Sequence, residues 1–275
     1  MINFYKYHGA GNDFIMINNL TGDIKLDSDY IKNLCDRHYG IGADGLILLE
    51  SSGKADCFMN YYNSDGSIAE MCGNGVRCTA LFYEEQTNLS KACPYSIEIE
   101  TRAGVKKIMV HEDETYSVDM GEPVFESKDF PSLTDSNLVK IKEFRFSFVS
   151  MGNPHAVTIV PSLNEINIKE IGSKVENDSS FPNKINVEFV EKIDDYHYKV
   201  KVWERGCGET LACGTGACAV FSIINKIFTR TVLGKLGEET ALEFPGGILY
   251  IREDKQGHII LRGPACFVFK GEIHI

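Results

Sequence analysis

The sequence predicts a mixed α/β (α+β) fold of two pseudo-symmetric, duplicated domains, each a mostly antiparallel, barrel-like sheet around a central helix. The prediction depends first on a Cys-Gly-polar-Gly motif, which occurs in "MCGNGVRC" at 71–78 and again in "ACGTGACA" at 212–219. Cys72 and Cys213 are therefore 141 residues apart. It depends second on strand-like stretches that follow each other in the same order around both copies, which indicates an internal repeat.

A single offset of 141 residues aligns several features of the repeat without gaps, and the match then continues with small slips. The stretch "DCFMNYYN" at 56–63 aligns with "HYKVKVWE" at 197–204, and both alternate apolar and polar residues as strands do. The same offset aligns Asn12 with Asn153, Asn63 with Glu204, Gly73 with Gly214, and Gly75 with Gly216. We therefore expect one domain over 1–121 and a second over 122–265, with the last strand, 266–275, returning to the first domain.

Three helices stand out among the strands. "GNGVRCTALFYEEQ" begins directly after Cys72 and "GTGACAVFSIINKI" directly after Cys213, with apolar residues at helical spacing. In the first of these helices we expect Val76, Ala80, Leu81 and Tyr83 to form the buried stripe. The third, "DSDYIKNLCDRHYG", has Asp27 or Ser28 as its cap, and Gly40 follows its predicted end.

Composition excludes several classes of protein. The net charge of −11 argues against nucleic acid or an anionic membrane as a partner. The start, "MINFYKYHGAGNDF", lacks the apolar run of a secretory signal, and no segment has eighteen consecutive apolar residues. We therefore expect a cytoplasmic protein. Its nine cysteines contain no C-x-x-C pair, so we expect no structural zinc site.

Cys72 and Cys213 differ from the other cysteines because each is predicted at the start of a helix. There the helix dipole and unpaired backbone N–H groups favour the reactive thiolate and can hold a carboxylate. If duplication places the sulfurs on opposite faces of one α-carbon, a thiolate can remove its proton while a thiol delivers another. That chemistry inverts a stereocentre without a cofactor. A redox disulfide between the two cysteines is the alternative, whereas a phosphate loop is disfavoured because no Lys follows the glycines.

Other polar residues fall on or beside the repeat register. Four asparagines are predicted at strand ends or turns, where they can contact a substrate: Asn12, Asn63, Asn153 and Asn186. Glu204 and Arg205 precede the second cysteine motif, and an arginine can bind a carboxylate through two hydrogen bonds. His155 follows Asn153 by two residues and could tune the pKa of a nearby thiol.

These residues resemble the diaminopimelate epimerase family. The resemblance is carried by "HGAGNDF", "NSDGS", "CGNGVRC", "MGNPH", "INV", "ERGCGETLACGTGACA" and the final "GPA", in the family's order along nearly the whole chain. It implies an enzyme of lysine biosynthesis, independent of pyridoxal phosphate and metal, that interconverts LL- and meso-2,6-diaminopimelate. A homodimer is usual in this family.

The resemblance also implies roles for individual residues. Cys72 and Cys213 are the expected acid/base thiols. The expected substrate contacts are Asn12, Asn63, Gly73, Asn74, Asn153, Asn186, Glu204, Arg205, Gly214 and Thr215. His155 and Glu204 resemble the pair that adjusts the cysteine pKa values.

Two alternatives stay open at this point. One is a proline or hydroxyproline racemase, against which the distal clamp of Glu204 and Arg205 argues. The other is an idle amino-acid-binding or redox-sensing protein. The sequence also departs from relatives at Gly45, where several have a Gln, at Cys207, and at Phe269, where some have a Tyr.

Overall fold

The computed structural model describes residues 1–89, 92–131, 139–141, 144–227 and 237–274. It divides into two compact units, one of Met1–Val118 with Gly263–Ile275 and one of Asp119–Arg262. The domain boundaries predicted from the sequence lie close to these divisions. That these divisions are the domains of the protein stays a prediction.

In the first unit, four strands precede one long helix, α2 (Gly73–Thr87), in the chain and four follow it. Its elements are β1 (Ile2–Gly9), β2 (Asn12–Asn19), α1 (Ser28–Cys35), β3 (Gly45–Glu50), β4 (Cys57–Asn63), α2 (Gly73–Thr87), β5 (Tyr95–Thr101), β6 (Gly104–Val110), β7 (Thr115–Asp119) and the final strand β17 (Cys266–Ile273). Strand β17 pairs antiparallel with β1. The last residue of the predicted 266–275 strand lies outside the described residues.

The second unit repeats this succession. Its elements are β8 (Val139–Ile141), β9 (Phe144–Ser150), β10 (Pro154–Val160), a 3-10 turn (Leu163–Glu165), α3 (Ile168–Glu176), β11 (Asn186–Lys192), β12 (His197–Glu204), β13 (Gly208–Thr210), α4 (Gly214–Ile227), β14 (Thr240–Phe244), β15 (Gly247–Glu253) and β16 (Ile259–Pro264).

The pairing of strands confirms the predicted duplication. In the first unit, β1–β2 is antiparallel, β2–β3 parallel, β3–β4 antiparallel, β4–β5 parallel, and β5–β6 and β6–β7 antiparallel. The second unit repeats these parallel and antiparallel pairings in the same order, through β9–β10, β10–β11, β11–β12, β12–β14, β14–β15 and β15–β16. Antiparallel pairs dominate both, as the sequence predicts.

Each sheet curves around its long helix. Helix α2 contacts β1, β2, β3, β4 and β5, and α4 contacts β9, β10, β11 and β15. The predicted stripe on α2 is partly wrong, because Leu81 and Tyr83 are only half-buried while Phe82 is fully buried. Because strands surround the first two turns of α2, these turns are buried on every side. A helix enclosed in this way needs no single apolar face.

Helix α1 is shorter than predicted. Asp27 caps it by accepting a hydrogen bond from the N–H of Tyr30, but the helix ends at Cys35 rather than near Gly40. The carboxylate of Asp36 accepts hydrogen bonds from the N–H groups of His38 and Tyr39. This local turn competes with the helix, as aspartate side chains often do.

Within the described ranges, no helix has the length and apolar character needed to cross a bilayer.

Helix α3 packs on β12 through a glycine, which yields a test of the packing. A Cβ added at Gly172 would lie 2.6 Å from Cβ of Trp203, so we expect Gly172→Ala to lower the free energy of unfolding by about 1–3 kcal/mol. Alanine otherwise favours a helix over glycine by about 1 kcal/mol. Urea denaturation measures the change, with Ser173→Ala on the same helix as control. If Gly172→Ala is as stable as that control, the close packing is wrong.

Candidate functional site

Cys72 is the residue that precedes α2, and its backbone is extended there (φ −140°, ψ 123°). Its thiol donates a hydrogen bond to Oδ1 of Asn12, 3.5 Å away. The first turn of α2 begins with Gly73 and Asn74. At the start of any helix, the first N–H groups have no hydrogen-bond acceptor within the helix. The predicted thiol, cradle and Asn12 are therefore brought together within the first unit.

Arg77, which the sequence analysis missed, holds this turn in place. It is fully buried and donates to the carbonyl of Gly73 at 3.0 Å, to Oδ1 of Asn74 at 2.7 Å and to the carbonyl of Pro264 at 3.2 Å. A buried guanidinium requires such acceptors, because an unpaired buried charge is costly. Its position inside an apolar helix was the available signal, since arginine is almost never fully buried without partners.

Asp44 orients Asn12. Its carboxylate accepts from Nδ2 of Asn12 at 2.9 Å, so the amide must turn Oδ1 towards Cys72. Arg37 binds Asp44 at 2.6 Å and Asp13 at 2.7 Å, and Lys6 binds Asp13 at 2.7 Å. Burial raises the pKa of Asp13, but Arg37 and Lys6 outweigh it and hold that pKa well below its usual range.

Asn63 lies at the end of β4, half-buried, and its Nδ2 donates to Oγ of Ser67 at 3.0 Å. It pairs in register with Gly45 of β3. A Cβ at Gly45 would lie 2.6 Å from ring atom Cε2 of Tyr61 and 2.6 Å from the carbonyl oxygen of Tyr62. The Tyr61 ring thus occupies the space where a longer side chain at position 45 would begin.

Cys213 lies at the start of α4 and is buried, with 5% of its surface exposed. Its Sγ accepts a hydrogen bond from the N–H of Gly216 at 3.3 Å and contacts Oγ1 of Thr215 at 3.4 Å. Burial, together with the carboxylates of Glu204 and Glu188, nevertheless raises the pKa of Cys213 well above its ordinary value. The expectation that the helix start favours the thiolate is therefore wrong here for the unliganded protein, because desolvation and two negative charges outweigh two hydrogen bonds.

Glu204 lies at the end of β12, half-buried, as the sequence predicts for a residue near the second thiol. Burial raises the pKa of Glu204, while hydrogen bonds from Thr210, at 2.5 Å, and from Cys213 lower it in part. A carboxyl group with a raised pKa that accepts from a thiol is suited to exchange a proton with it.

His155 and Asn153 lie beside this thiol on and before β10. Nε2 of His155 is 3.0 Å from Oδ1 of Asn153, and Nδ2 of Asn153 donates to Oγ1 of Thr215 at 3.2 Å. Nδ1 of His155 is 2.6 Å from Oε1 of Glu188, and both side chains are fully buried. His155 thus reaches Cys213 through two intermediaries, while Glu204 contacts it directly.

Glu188 was also missed by the sequence analysis. Oε1 of Glu188 lies 2.7 Å from where a Cβ of Gly216 would be, so the carboxylate is pressed against the start of α4. The equivalent helix glycine of the first unit is Gly75. A Cβ added at Gly75 would lie 3.2 Å from Cδ1 of Ile47. The sequence pattern gave no reason to separate Glu188 from surface carboxylates.

Asn186 and Arg205 form a brace. Nδ2 of Asn186 donates to the carbonyl of Pro154 at 2.9 Å, and its Oδ1 accepts from the N–H of Arg205 at 2.9 Å. The exposed guanidinium of Arg205 donates to the carbonyl of Asn183 at 3.0 Å. In this state Asn186 positions the turn that carries Arg205, and its direct contact with a substrate stays a prediction.

Gly214 completes the sequence-predicted set, buried at the first position of α4. Among the described residues, no group of three His, Cys, Asp or Glu side chains is arranged to hold a metal ion.

Each unit of this fold places a thiol at the start of its central helix. Solved structures with this fold include a PhzF-family phenazine biosynthesis protein from Bacillus anthracis (TM-score 0.71, 19% identity, 100% of this chain and 99% of that one). A hydroxyproline epimerase from Agrobacterium vitis gives the same TM-score at 15% identity, over 99% and 90% of the two chains. At such identities the likeness shows the fold alone.

The sequence comparisons show the particular family. A model of diaminopimelate epimerase matches residues 4–126 and 147–268. The diaminopimelate epimerase of Carboxydothermus hydrogenoformans is 44% identical over 98% of both chains, and that of Methanococcus maripaludis strain C5 is 43% identical over 99% of both. The chain belongs to the diaminopimelate epimerase family, as its motifs predict.

A buried carboxylate holds the turn that carries Glu204 and Arg205, and its contribution should depend on pH. Glu176 accepts from Nε1 of Trp203 at 2.7 Å and from the N–H of Gly206 at 3.0 Å. Burial raises the pKa of Glu176, but these bonds and Lys184 outweigh it and hold the pKa below its usual value. The ionised form is thus favoured by folding, so its stabilisation is complete above the unfolded pKa of about 4.3 and is lost as pH falls through the folded pKa.

We therefore expect Glu176→Gln to be less stable than the native chain near pH 7, with the difference shrinking in acid. Thermal unfolding from pH 7 down to pH 3 measures it. Glu170→Gln, on the exposed side of the same helix, is the control and should change stability little, because its ion pair with Lys174 is exposed. A difference that does not depend on pH would contradict the role assigned to Glu176.

Proposed function

We propose that this protein interconverts LL- and meso-2,6-diaminopimelate in lysine biosynthesis, with Cys72 and Cys213 as the acid/base pair. The observation that carries the proposal is the repeat-related placement of the two thiols, each at the start of a buried central helix, in a chain of the diaminopimelate epimerase family. Inversion at one carbon needs a proton removed from one face and a proton delivered to the other. Two thiols supply both, without a cofactor.

The helix starts support binding of the α-carboxylate. We propose that the N–H groups of Gly73 and Asn74 in one unit, and of Gly214 and Thr215 in the other, bind this group. Helix starts favour anions, and the same dipoles stabilise the charge that develops on the carboxylate as the α-carbon loses its proton.

The two thiols differ in how they reach their reactive forms. The raised pKa of Cys213 makes the thiol its resting form, which suits proton delivery. To act as a base in the reverse direction, Cys213 must first lose its proton, and Glu204 is the carboxylate that accepts its hydrogen bond. Cys72 instead donates to the neutral amide oxygen of Asn12. Glu204 and His155 are the residues we assign to adjusting the thiol pKa.

The rest of the substrate carries a second carboxylate and a second amine. We propose that Arg205 binds the distal carboxylate. Its guanidinium is exposed and, among the described residues, donates a hydrogen bond to the backbone carbonyl of Asn183, an acceptor that a carboxylate can replace. The amide groups of Asn12, Asn63, Asn153 and Asn186 are proposed to contact the substrate as well.

We also propose a cytoplasmic homodimer that binds neither nucleic acid nor membrane. The net charge of −11 supports the last two points. Exposed apolar residues on β17, Phe267, Val268 and Phe269, support pairing with a second copy.

Replacing either thiol tests the two-base mechanism. We expect Cys72→Ala and Cys213→Ala each to lower kcat by at least about 100-fold, because each removes an acid/base group. The matched controls are Cys78→Ala on α2 and Cys218→Ala on α4, both buried cysteines further along the same helices, which should retain activity. Circular dichroism checks the fold of all four. An active Cys72→Ala or Cys213→Ala enzyme would contradict the mechanism.

Turnover in D₂O tests the substrate and the proton step together. We expect solvent deuterium to enter the α-carbon of LL-diaminopimelate, observed by proton NMR as loss of the α-proton signal, because the thiol that delivers the proton exchanges with solvent. L-proline in a parallel sample should show no exchange, since it offers nothing for a distal clamp. Exchange into proline alone would replace this proposal with a proline racemase, and inversion without exchange would exclude proton abstraction.

A further inference from the structure

A continuous chain of side-chain contacts leads from a buried carboxylate to the second thiol. Glu188 contacts His155 at 2.6 Å, His155 contacts Asn153 at 3.0 Å, and Asn153 donates to Thr215 at 3.2 Å. Thr215 contacts Sγ of Cys213 at 3.4 Å. We call these five residues the relay.

The chemistry of the amide fixes the direction of hydrogen bonding in the relay. Asn153 gives Nδ2 to Thr215 and turns its carbonyl oxygen to His155, so Nε2 of His155 must carry a hydrogen. Nδ1 faces a carboxylate oxygen, so a second hydrogen lies between His155 and Glu188. The hydroxyl of Thr215, having accepted from Asn153, is free to donate to the sulfur.

The opposite direction follows when the His155–Glu188 pair loses one proton. The hydrogen left on the ring then lies on Nδ1 and donates to the carboxylate, and Nε2 becomes an acceptor. The amide of Asn153 must turn to give Nδ2 to His155 and Oδ1 to Thr215. Thr215 then donates to Asn153, and the sulfur loses a donor. The two arrangements differ by one proton on the pair.

We propose that Glu188 is a positioning residue for the reaction. Together with His155, Glu188 sets the direction of hydrogen bonding in the relay, and that direction decides whether Thr215 donates to the sulfur of Cys213. The inference rests on the proposed function, because the relay is useful only if Cys213 alternates between acid and base. Such a thiol needs surroundings that suit both of its forms. A donor hydroxyl favours the thiolate, and its loss favours the thiol.

Burial makes the pair suited to this work. Glu188 and His155 are both fully buried, and Oε2 of Glu188 has no hydrogen-bond partner among the described residues. A lone carboxylate would be costly there, so Glu188 depends on the hydrogen that lies between it and His155. The carboxylate also lies against Gly216 at the positive end of α4, where a negative charge is favoured.

Other groups face the same sulfur and enter any test. Glu204 of β12 accepts from the thiol, and the N–H of Gly216 donates to the sulfur. Glu188 also acts on the sulfur directly through its charge. The test must therefore separate an effect carried by the relay from an effect of charge through space.

A double-mutant cycle on the pH dependence of alkylation makes that separation. The rate at which iodoacetamide labels the peptide containing Cys213, followed by mass spectrometry against pH, gives the pH midpoint of thiolate formation without any substrate. The variants are Glu188→Gln, Thr215→Val and the double variant. Glu191→Gln, further along β11, is the control for loss of a carboxylate and should leave the midpoint unchanged.

We expect Glu188→Gln to lower the midpoint by about one pH unit or more, because a hydrogen bond to a charged group is worth about that shift. The glutamine amide donates to Nδ1 and so fixes Nε2–H, which holds the relay in the direction that favours the thiolate. Loss of the negative charge acts in the same sense. In the Thr215→Val background the relay is cut, so only the smaller effect of charge should remain.

An equal shift in both backgrounds, or no shift, would overturn the proposal. Glu188→Asp keeps the carboxylate and should return the midpoint towards that of the native chain; if it behaves like Glu188→Gln instead, the effect is merely structural. Thr215→Val alone should raise the midpoint, which tests the end of the relay even if the glutamine variant folds poorly. Failure of the proposed function would appear in the D₂O assay and leave these midpoints unaffected.

Discussion

The structure depends on burying the start of a helix inside a curved sheet. A helix start presents N–H groups that need acceptors, and a surrounding sheet removes the water that would otherwise satisfy them. In both units a cysteine stands at this point, followed by glycines that leave room for close neighbours. The strands hold polar residues near each thiol, and in the first unit the buried Arg77 donates hydrogen bonds to the carbonyl of Gly73 and to Oδ1 of Asn74 at the helix start.

The two enclosed helix starts are alike in geometry and different in chemistry. Asn12 and Asn153 occupy equivalent places in the repeat, yet Asn12 turns its oxygen to the sulfur while Asn153 turns its nitrogen towards Thr215. The carboxylate of Asp44 sets the orientation of Asn12 directly, whereas the carboxylate of Glu188 acts on Asn153 through His155. Orientation of an amide is cheap to reverse, so a repeat can keep its asparagines and still treat its two thiols differently.

The sequence predicted the parts of the fold that depend on local pattern. The internal repeat, the two helices after the cysteines and the antiparallel bias follow from spacing and alternation. The extent of α1 was wrong because the carboxylate of Asp36 formed its own turn, and the stripe on α2 was wrong because strands surround the start of that helix. Asp44 and Glu188 were missed because each acts through contacts that only the folded chain creates, whereas Arg77 was missed although its position inside an apolar helix was a signal. The lowered thiol pKa expected from the helix dipole was wrong at Cys213 because burial and the charge of Glu188, neither of which the sequence revealed, add to the charge of Glu204 and raise that pKa.

The residue beneath each helix start shows what duplication made possible. Gly75 lies over Ile47 and Gly216 lies over Glu188, and these two partners occupy the same position of the repeat. Two identical chains paired about an axis would carry the same residue in both places, and any change beneath one sulfur would be forced on the other. Once both copies belonged to a single chain, hydrocarbon could remain under one thiol while an ionisable group arose under its counterpart. Duplication within one chain thereby lets each of the two thiols have its own neighbour beneath it.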